Sequence, residues 1–138
     1  MASRLNPYIS FPEGNAREAL EFYKSVLGGT LTVNTFGEFG MEGPVADKVM
    51  HGQLETADGY TLMGADTPPE MPVKAGDSVT ICINGDVDDT LRGYFEKLSA
   101  GGTVNEPLKK QMWGDEYGQF VDRFGVSWMF NLGAPREA

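Results

Sequence analysis

Asn15-Ala-Arg-Glu-Ala-Leu-Glu-Phe-Tyr-Lys-Ser-Val-Leu-Gly-Gly-Thr30 is the stretch whose reading decides the fold. Ala16, Ala19, Leu20, Tyr23, Val26 and Leu27 recur at the spacing that gathers side chains on one face of a helix. Asn15 is placed to cap the first turn, and Glu18 to complete a capping box. Gly28 and Gly29 end the helix, because glycine takes a left-handed C-terminal turn without penalty. A second stretch has the same grammar: Asp86-Val-Asp-Asp-Thr-Leu-Arg-Gly-Tyr-Phe-Glu-Lys-Leu-Ser-Ala-Gly-Gly-Thr103. Asp86 is the expected cap here, and Val87, Leu91, Tyr94, Phe95 and Leu98 the expected buried stripe. Two capped amphipathic helices, each closed by Gly-Gly-Thr, point to a duplicated architecture.

The flanking segments carry the duplication further. Asn6–Phe11 and Thr30–Phe36 read as strands, Gly37–Lys48 as a mobile loop, and Val49–Ala57 with Tyr60–Ala65 as a hairpin about Asp58-Gly59. Thr67–Gly76 is a stiff, proline-rich linker. Ser78–Asn84 starts the second round, and Thr103–Lys109, Tyr117–Arg123 and Val126–Leu132 follow its helix as strands. His51-Gly-Gln-Leu-Glu-Thr-Ala-Asp-Gly-Tyr-Thr-Leu-Met63 lies without gaps over Tyr117-Gly-Gln-Phe-Val-Asp-Arg-Phe-Gly-Val-Ser-Trp-Met129. Gly52 matches Gly118, Gln53 matches Gln119, Gly59 matches Gly125 and Met63 matches Met129. The fold class expected is α+β, two tandem βαβββ modules over 1–66 and 77–133 joined by a linker over 67–76.

The totals narrow the function. A chain of 138 residues with 41% hydrophobic content suits a soluble domain. No apolar run is long enough to span a bilayer, and the first residues lack the apolar stretch of a signal peptide. One cysteine, Cys82, precludes an internal disulfide and suits a reducing compartment, so a cytoplasmic location is expected. A net charge of −9 speaks against nucleic-acid binding, whose phosphate contacts need clustered Lys and Arg, and without a spanning run no membrane partner is expected.

Paired modules of this size resemble the vicinal oxygen chelate superfamily, which includes glyoxalase I, extradiol dioxygenases and bleomycin-resistance proteins. Asn6-Pro-Tyr-Ile-Ser-Phe11, Gly14-Asn-Ala-Arg-Glu-Ala-Leu-Glu-Phe-Tyr-Lys24 and Asp122-Arg-Phe-Gly-Val-Ser-Trp128 are similar to the PhnB-like branch. That branch carries a methyltransferase-like label, yet no glycine-rich strand–loop–helix suited to a nucleoside cofactor occurs here. The resemblance implies curled mixed sheets that enclose a cavity, and a homodimer. It also implies four metal-ligand positions, one on the first and one on the last strand of each module. These fall at or beside Tyr8, on Met63, at Ser78 or Thr80, and on Met129. Thioether sulfur is a poor partner for a hard divalent cation, so the usual metal site is expected to be missing and no cofactor is implied.

What remains is a small-molecule site. Tyr8, Met63 and Met129 with Ser78 or Thr80 would line a pocket of soft apolar walls and hydroxyls. Trp113, in a loop, would act as a lid or interface, as would the loop bearing Phe39 and Met41. Alternation sets Trp128 and Phe130 opposite to Met129, so these side chains cannot all line one cavity. His51 is the single histidine and the candidate general base, sharing a strand face with Gln53 and Glu55. Cys82, in an apolar strand, is expected as a small buried hydrophobe. The leading expectation is a small-molecule binder. Its rivals are a metal-dependent lyase or dioxygenase with displaced ligands, His51 with Glu55 or Asp115, and a resistance protein that sequesters a toxic compound.

Overall fold

The computed structural model describes residues 3–67, 73–74, 76 and 78–133. The chain separates into two units, Met1–Ala75 and Gly76–Ala138. The first runs β1 (Tyr8–Phe11), α1 (Ala16–Leu27), β2 (Thr30–Thr35), β3 (Val49–Glu55) and β4 (Thr61–Asp66). The second runs β5 (Ile81–Asp86), α2 (Asp89–Ser99), β6 (Thr103–Lys110), β7 (Glu116–Val121) and β8 (Ser127–Gly133). Strand order is β1-β4-β3-β2 in one sheet and β5-β8-β7-β6 in the other. β1 lies parallel to β4 and β5 parallel to β8, while the other neighbours are antiparallel. Each unit is therefore a βαβββ module with an open mixed sheet, the α+β architecture expected from the repeat. Most of the proline-rich stretch, 68–72 and 75, lies outside the described residues.

The Gly-Gly-Thr ending has the same physical cause in both units. Gly28 and Gly101 take φ of 76° and 81°, the left-handed region that favours glycine. The next glycine has a different task. A Cβ on Gly29 would run into the carbonyl oxygen of Glu55, and one on Gly102 into that of Val121. Glu55 and Val121 are equivalent positions in the hairpin repeat, so both helices hand the chain back to the sheet through one close approach. Gly52 and Gly118 match in the same way, since a Cβ would strike Leu20 in the first unit and Phe95 in the second. These glycines let each helix settle directly on the sheet.

Each helix covers one face of its own sheet. Ala16, Ala19, Leu20, Tyr23 and Leu27 of α1 are buried together with Phe11, Val49, Leu54 and Leu62. In the second unit Phe95 and Leu98 of α2 are buried with Phe120, Trp128, Phe130 and Leu132. Phe95 meets Phe120 and Phe130 edge-on at ring separations of 5.0 and 5.3 Å, the arrangement aromatic quadrupoles prefer.

Both expected helix caps change. Asn15 makes no side-chain capping bond. Asp66, buried at the end of β4, takes that role across the unit: its Oδ1 accepts from the Ala16 N–H at 2.9 Å and its Oδ2 from the Val49 N–H at 2.8 Å. A full carboxylate satisfies an orphan donor at a helix N-terminus better than a neutral amide does. In the second unit the cap is Asp88 rather than Asp86, accepting from Thr90 N at 2.6 Å and Leu91 N at 3.4 Å. The helix thus begins later than expected, and Val87 falls outside it, 40% exposed rather than in the stripe.

Candidate functional site

Strand alternation, with one face spent on α1, leaves the opposite face of the first sheet carrying polar and soft side chains. Tyr8 on β1 stands directly across from Met63 on β4, and Met63 across from Gln53 on β3. His51 and Glu55 flank Gln53 on that face, with Asn34 of β2 across from His51 and Thr32 across from Gln53. His51, Gln53 and Met63 are half-buried, and Tyr8 is 53% exposed.

These side chains form a connected row. The Tyr8 hydroxyl is 3.4 Å from His51 Nδ1, and the two rings are 5.7 Å apart. His51 Nε2 is 3.3 Å from Gln53 Oε1, and Gln53 Nε2 donates to Glu55 Oε1 at 3.0 Å. Arg4 Nη1 lies 3.7 Å from the same Glu55 oxygen. Beside this end of the row a cleft of about 600 Å³ opens, bordered by Arg4, Glu55, Thr56 and Tyr60. Burial, helped by the charge of Asp58, pushes the Tyr60 phenol above its ordinary value, so it remains a neutral hydroxyl. A smaller opening of about 190 Å³ lies near the start of α1, lined by Pro12, Phe36, Val45 and Lys48. Neither opening is lined by Tyr8, His51 or Met63.

The second sheet presents an equivalent face with other chemistry. Here the strand register corrects two expectations. β5 begins at Ile81, so neither Ser78 nor Thr80 belongs to it. Cys82 is the residue across from Met129, as Tyr8 is across from Met63. Ser78 is exposed, and the Thr80 hydroxyl is 3.0 Å from that of Ser127. Cys82 itself is exposed rather than buried, because Ile81 and Ile83 turn towards the helix side of the strand. The alternation of that segment held the signal, since Ile83, buried, and Ile81, half-buried, share one face and the residue between them falls on the other. Neighbouring atoms still desolvate the thiol enough to raise its pKa above the usual thiol value.

Around Met129 the face carries Gln119 and, farther along, Tyr117 across from Asn131. The Tyr117 hydroxyl donates to Gln119 Oε1 at 3.3 Å. Asn131 donates from Nδ2 to Asp115 Oδ2 at 2.9 Å. Trp113 is 60% exposed in the loop before β7, its ring edge-on to Tyr117 at 6.3 Å. Trp128 and Phe130 are buried, as alternation requires. At the start of β7, Glu116 pairs with Arg92, which also binds Asp89 at 2.9 Å. The bonded guanidinium holds the Glu116 carboxyl below the ordinary carboxylate range.

Of the positions that the resemblance implied for a metal ion, Tyr8, Met63 and Met129 carry a phenol and two thioethers, and the thiol of Cys82 stands on the strand position across from Met129. Hard divalent cations select carboxylate, imidazole and water, so this donor set does not fit such an ion. Among the described residues no group of three His, Cys, Asp or Glu side chains converges on a metal position. Of the displaced set, His51 and Glu55 are both tied to Gln53, and Asp115 is bonded to Asn131.

The family model for the Glyoxalase/Bleomycin resistance protein/Dioxygenase superfamily matches residues 7–130. The chain belongs to that superfamily. Within it, the chain is 28% identical to protein YjdN of Escherichia coli K12 over 93% of its own length and 94% of that protein. The crystal structure of protein PA1353 from Pseudomonas aeruginosa is similar with a TM-score of 0.86 and 35% identity, covering 97% of this chain and 100% of that one. The PhnB protein from Bacillus cereus shares the superfamily fold with a TM-score of 0.72 at 22% identity, over 95% of this chain and 100% of that one. The superfamily resemblance read from the sequence is borne out by the family model. No helix among the described residues is long and apolar enough to cross a membrane.

Proposed function

We propose that the protein binds a small organic molecule on the face of the first sheet turned away from α1, around Tyr8, His51, Gln53 and Met63. One observation carries this reading. Three strands bring a phenol, an imidazole, an amide and a thioether to one half-exposed face, where a solvated sheet surface would need none of them together. Met63 offers a polarizable apolar wall, and the polar row offers orientation, the usual division of labour in a small-molecule site. Met129 and Cys82, with Trp113 at the rim, are the corresponding ligand surface of the second unit in this reading. Ser78 has no part in it, and Thr80 at most supports Ser127. The exposed edges β2 and β6 favour pairing with a second copy, so a homodimer belongs to the proposal. A cytoplasmic location does too, because it keeps the exposed Cys82 thiol reduced.

A thermal-shift screen of planar and amphipathic compounds tests the reading. A ligand at a hundred times its Kd adds about 2.7 kcal/mol of stability, a rise of several degrees for a domain of this size. The rise is expected to fall away in the Gln53→Ala, Met63→Ala double variant. If no compound stabilises the wild type, or if the double variant responds equally, the site is elsewhere.

A further inference from the structure

The hydrogen bonds on that face also specify the chemistry of the ligand, an inference that rests on the binding reading above. Glu55 as a carboxylate only accepts, so the Gln53 group 3.0 Å from it is the amide nitrogen. The opposite end of that amide, Oε1, then faces His51 Nε2 at 3.3 Å. A carbonyl oxygen has no proton to give. The imidazole proton therefore sits on Nε2, and in the neutral ring Nδ1 holds the lone pair. The Tyr8 hydroxyl, 3.4 Å from Nδ1, supplies the only proton this contact can use. The row runs one way, Tyr8 to His51 to Gln53 to Glu55, each donating to the next, and Arg4 beside Glu55 balances the charge at its end. Bonds in such a chain polarise one another in the same direction.

The consequence lies at the exposed end. Tyr8 has one proton, and it points inward. Its outward oxygen, on a side chain 53% exposed and across from Met63, can only accept. We infer that this site selects a small apolar molecule bearing a hydroxyl group, a phenol or an enol, over the ether or ketone of the same shape. The ligand hydroxyl donates to Tyr8, while its apolar body lies against the Met63 thioether.

Naphthol and its methyl ether make the test, because they differ by one donor on an otherwise equal body. Calorimetric titration of the full chain with each compound compares their affinities. Wild type is expected to bind naphthol about tenfold more tightly, as the loss of one hydrogen bond at a partly open site predicts. Tyr8→Phe is expected to erase the preference, bringing the naphthol affinity down to that of the ether. His51→Ala frees the Tyr8 proton to point outward and is expected to shift the preference towards the ether, an effect no merely structural role produces. Circular dichroism confirms that each variant is folded. Equal binding of the two compounds to wild type, or a preference that survives Tyr8→Phe, overturns this inference and leaves the binding site standing. Binding of neither compound overturns both.

Discussion

Trp128 donates its indole N–H to Asp122 Oδ2 at 2.9 Å, with both residues buried. The other carboxylate oxygen accepts from Phe124 N at 2.8 Å and Val126 N at 3.0 Å, so one side chain closes the β7–β8 turn and anchors the largest core residue. In the first unit the equivalent turn relies on the Thr56 hydroxyl, which accepts from Tyr60 N at 3.1 Å. Replacing Asp122 removes an acceptor shared by three donors. Asp122→Ala is expected to cost about 3 kcal/mol or more, and Asp122→Asn less, because the amide keeps one acceptor. Urea denaturation of the two variants measures the difference, and equal midpoints would contradict it.

The helix caps give a paired prediction. Asp66→Ala removes the acceptor of two buried backbone N–H groups and is expected to cost about 2–4 kcal/mol. Asn15→Ala, whose side chain caps nothing, should stay within about 0.5 kcal/mol of wild type. Asp88→Ala falls between them at about 1 kcal/mol, the usual worth of an exposed cap. Thermal or chemical unfolding ranks the three. The order Asn15 above Asp66 in cost would refute the tertiary cap.

The duplicated glycines behave differently from the helical one. Gly29→Ala and Gly102→Ala press a methyl group into backbone carbonyls, which cannot rotate away, and each is expected to cost about 2 kcal/mol or more. Gly93 lies inside α2 with nothing within 4 Å of a new Cβ. Gly93→Ala is therefore expected to stabilise by about 0.5–1 kcal/mol, the helix propensity difference. Opposite signs at these positions are the readout.

Cys82 should react in the native state. Its thiol is exposed, so one equivalent of maleimide per chain is expected to label it without denaturant. The raised thiol pKa means a smaller thiolate fraction than free cysteine has at the same pH. Labelling at neutral pH should accordingly lag behind a small-molecule thiol, and the lag should shrink as pH rises through the ordinary thiol range. Mass spectrometry over time follows it. Labelling that appears only in urea would return Cys82 to the core.

The sequence alone determined the repeat, and through it the fold. Helix period, strand alternation and the Gly-Gly-Thr and Asp58-Gly59 signals are local, because each reflects what one short segment needs to bury one face or make one turn. Tyr23 and Leu98 were legible as core for that reason, and His51, Gln53 and Glu55 as neighbours on a face. Only the tertiary structure decided what stands beside what. The parallel pairings of β1 with β4 and β5 with β8 join segments far apart in the chain, and nothing local sets their register. That register put Cys82 rather than Ser78 or Thr80 beside Met129. It brought Asp66 from β4 to cap α1 in place of Asn15. It also set Tyr8 within reach of His51, giving the lone histidine the partner that its own segment did not contain.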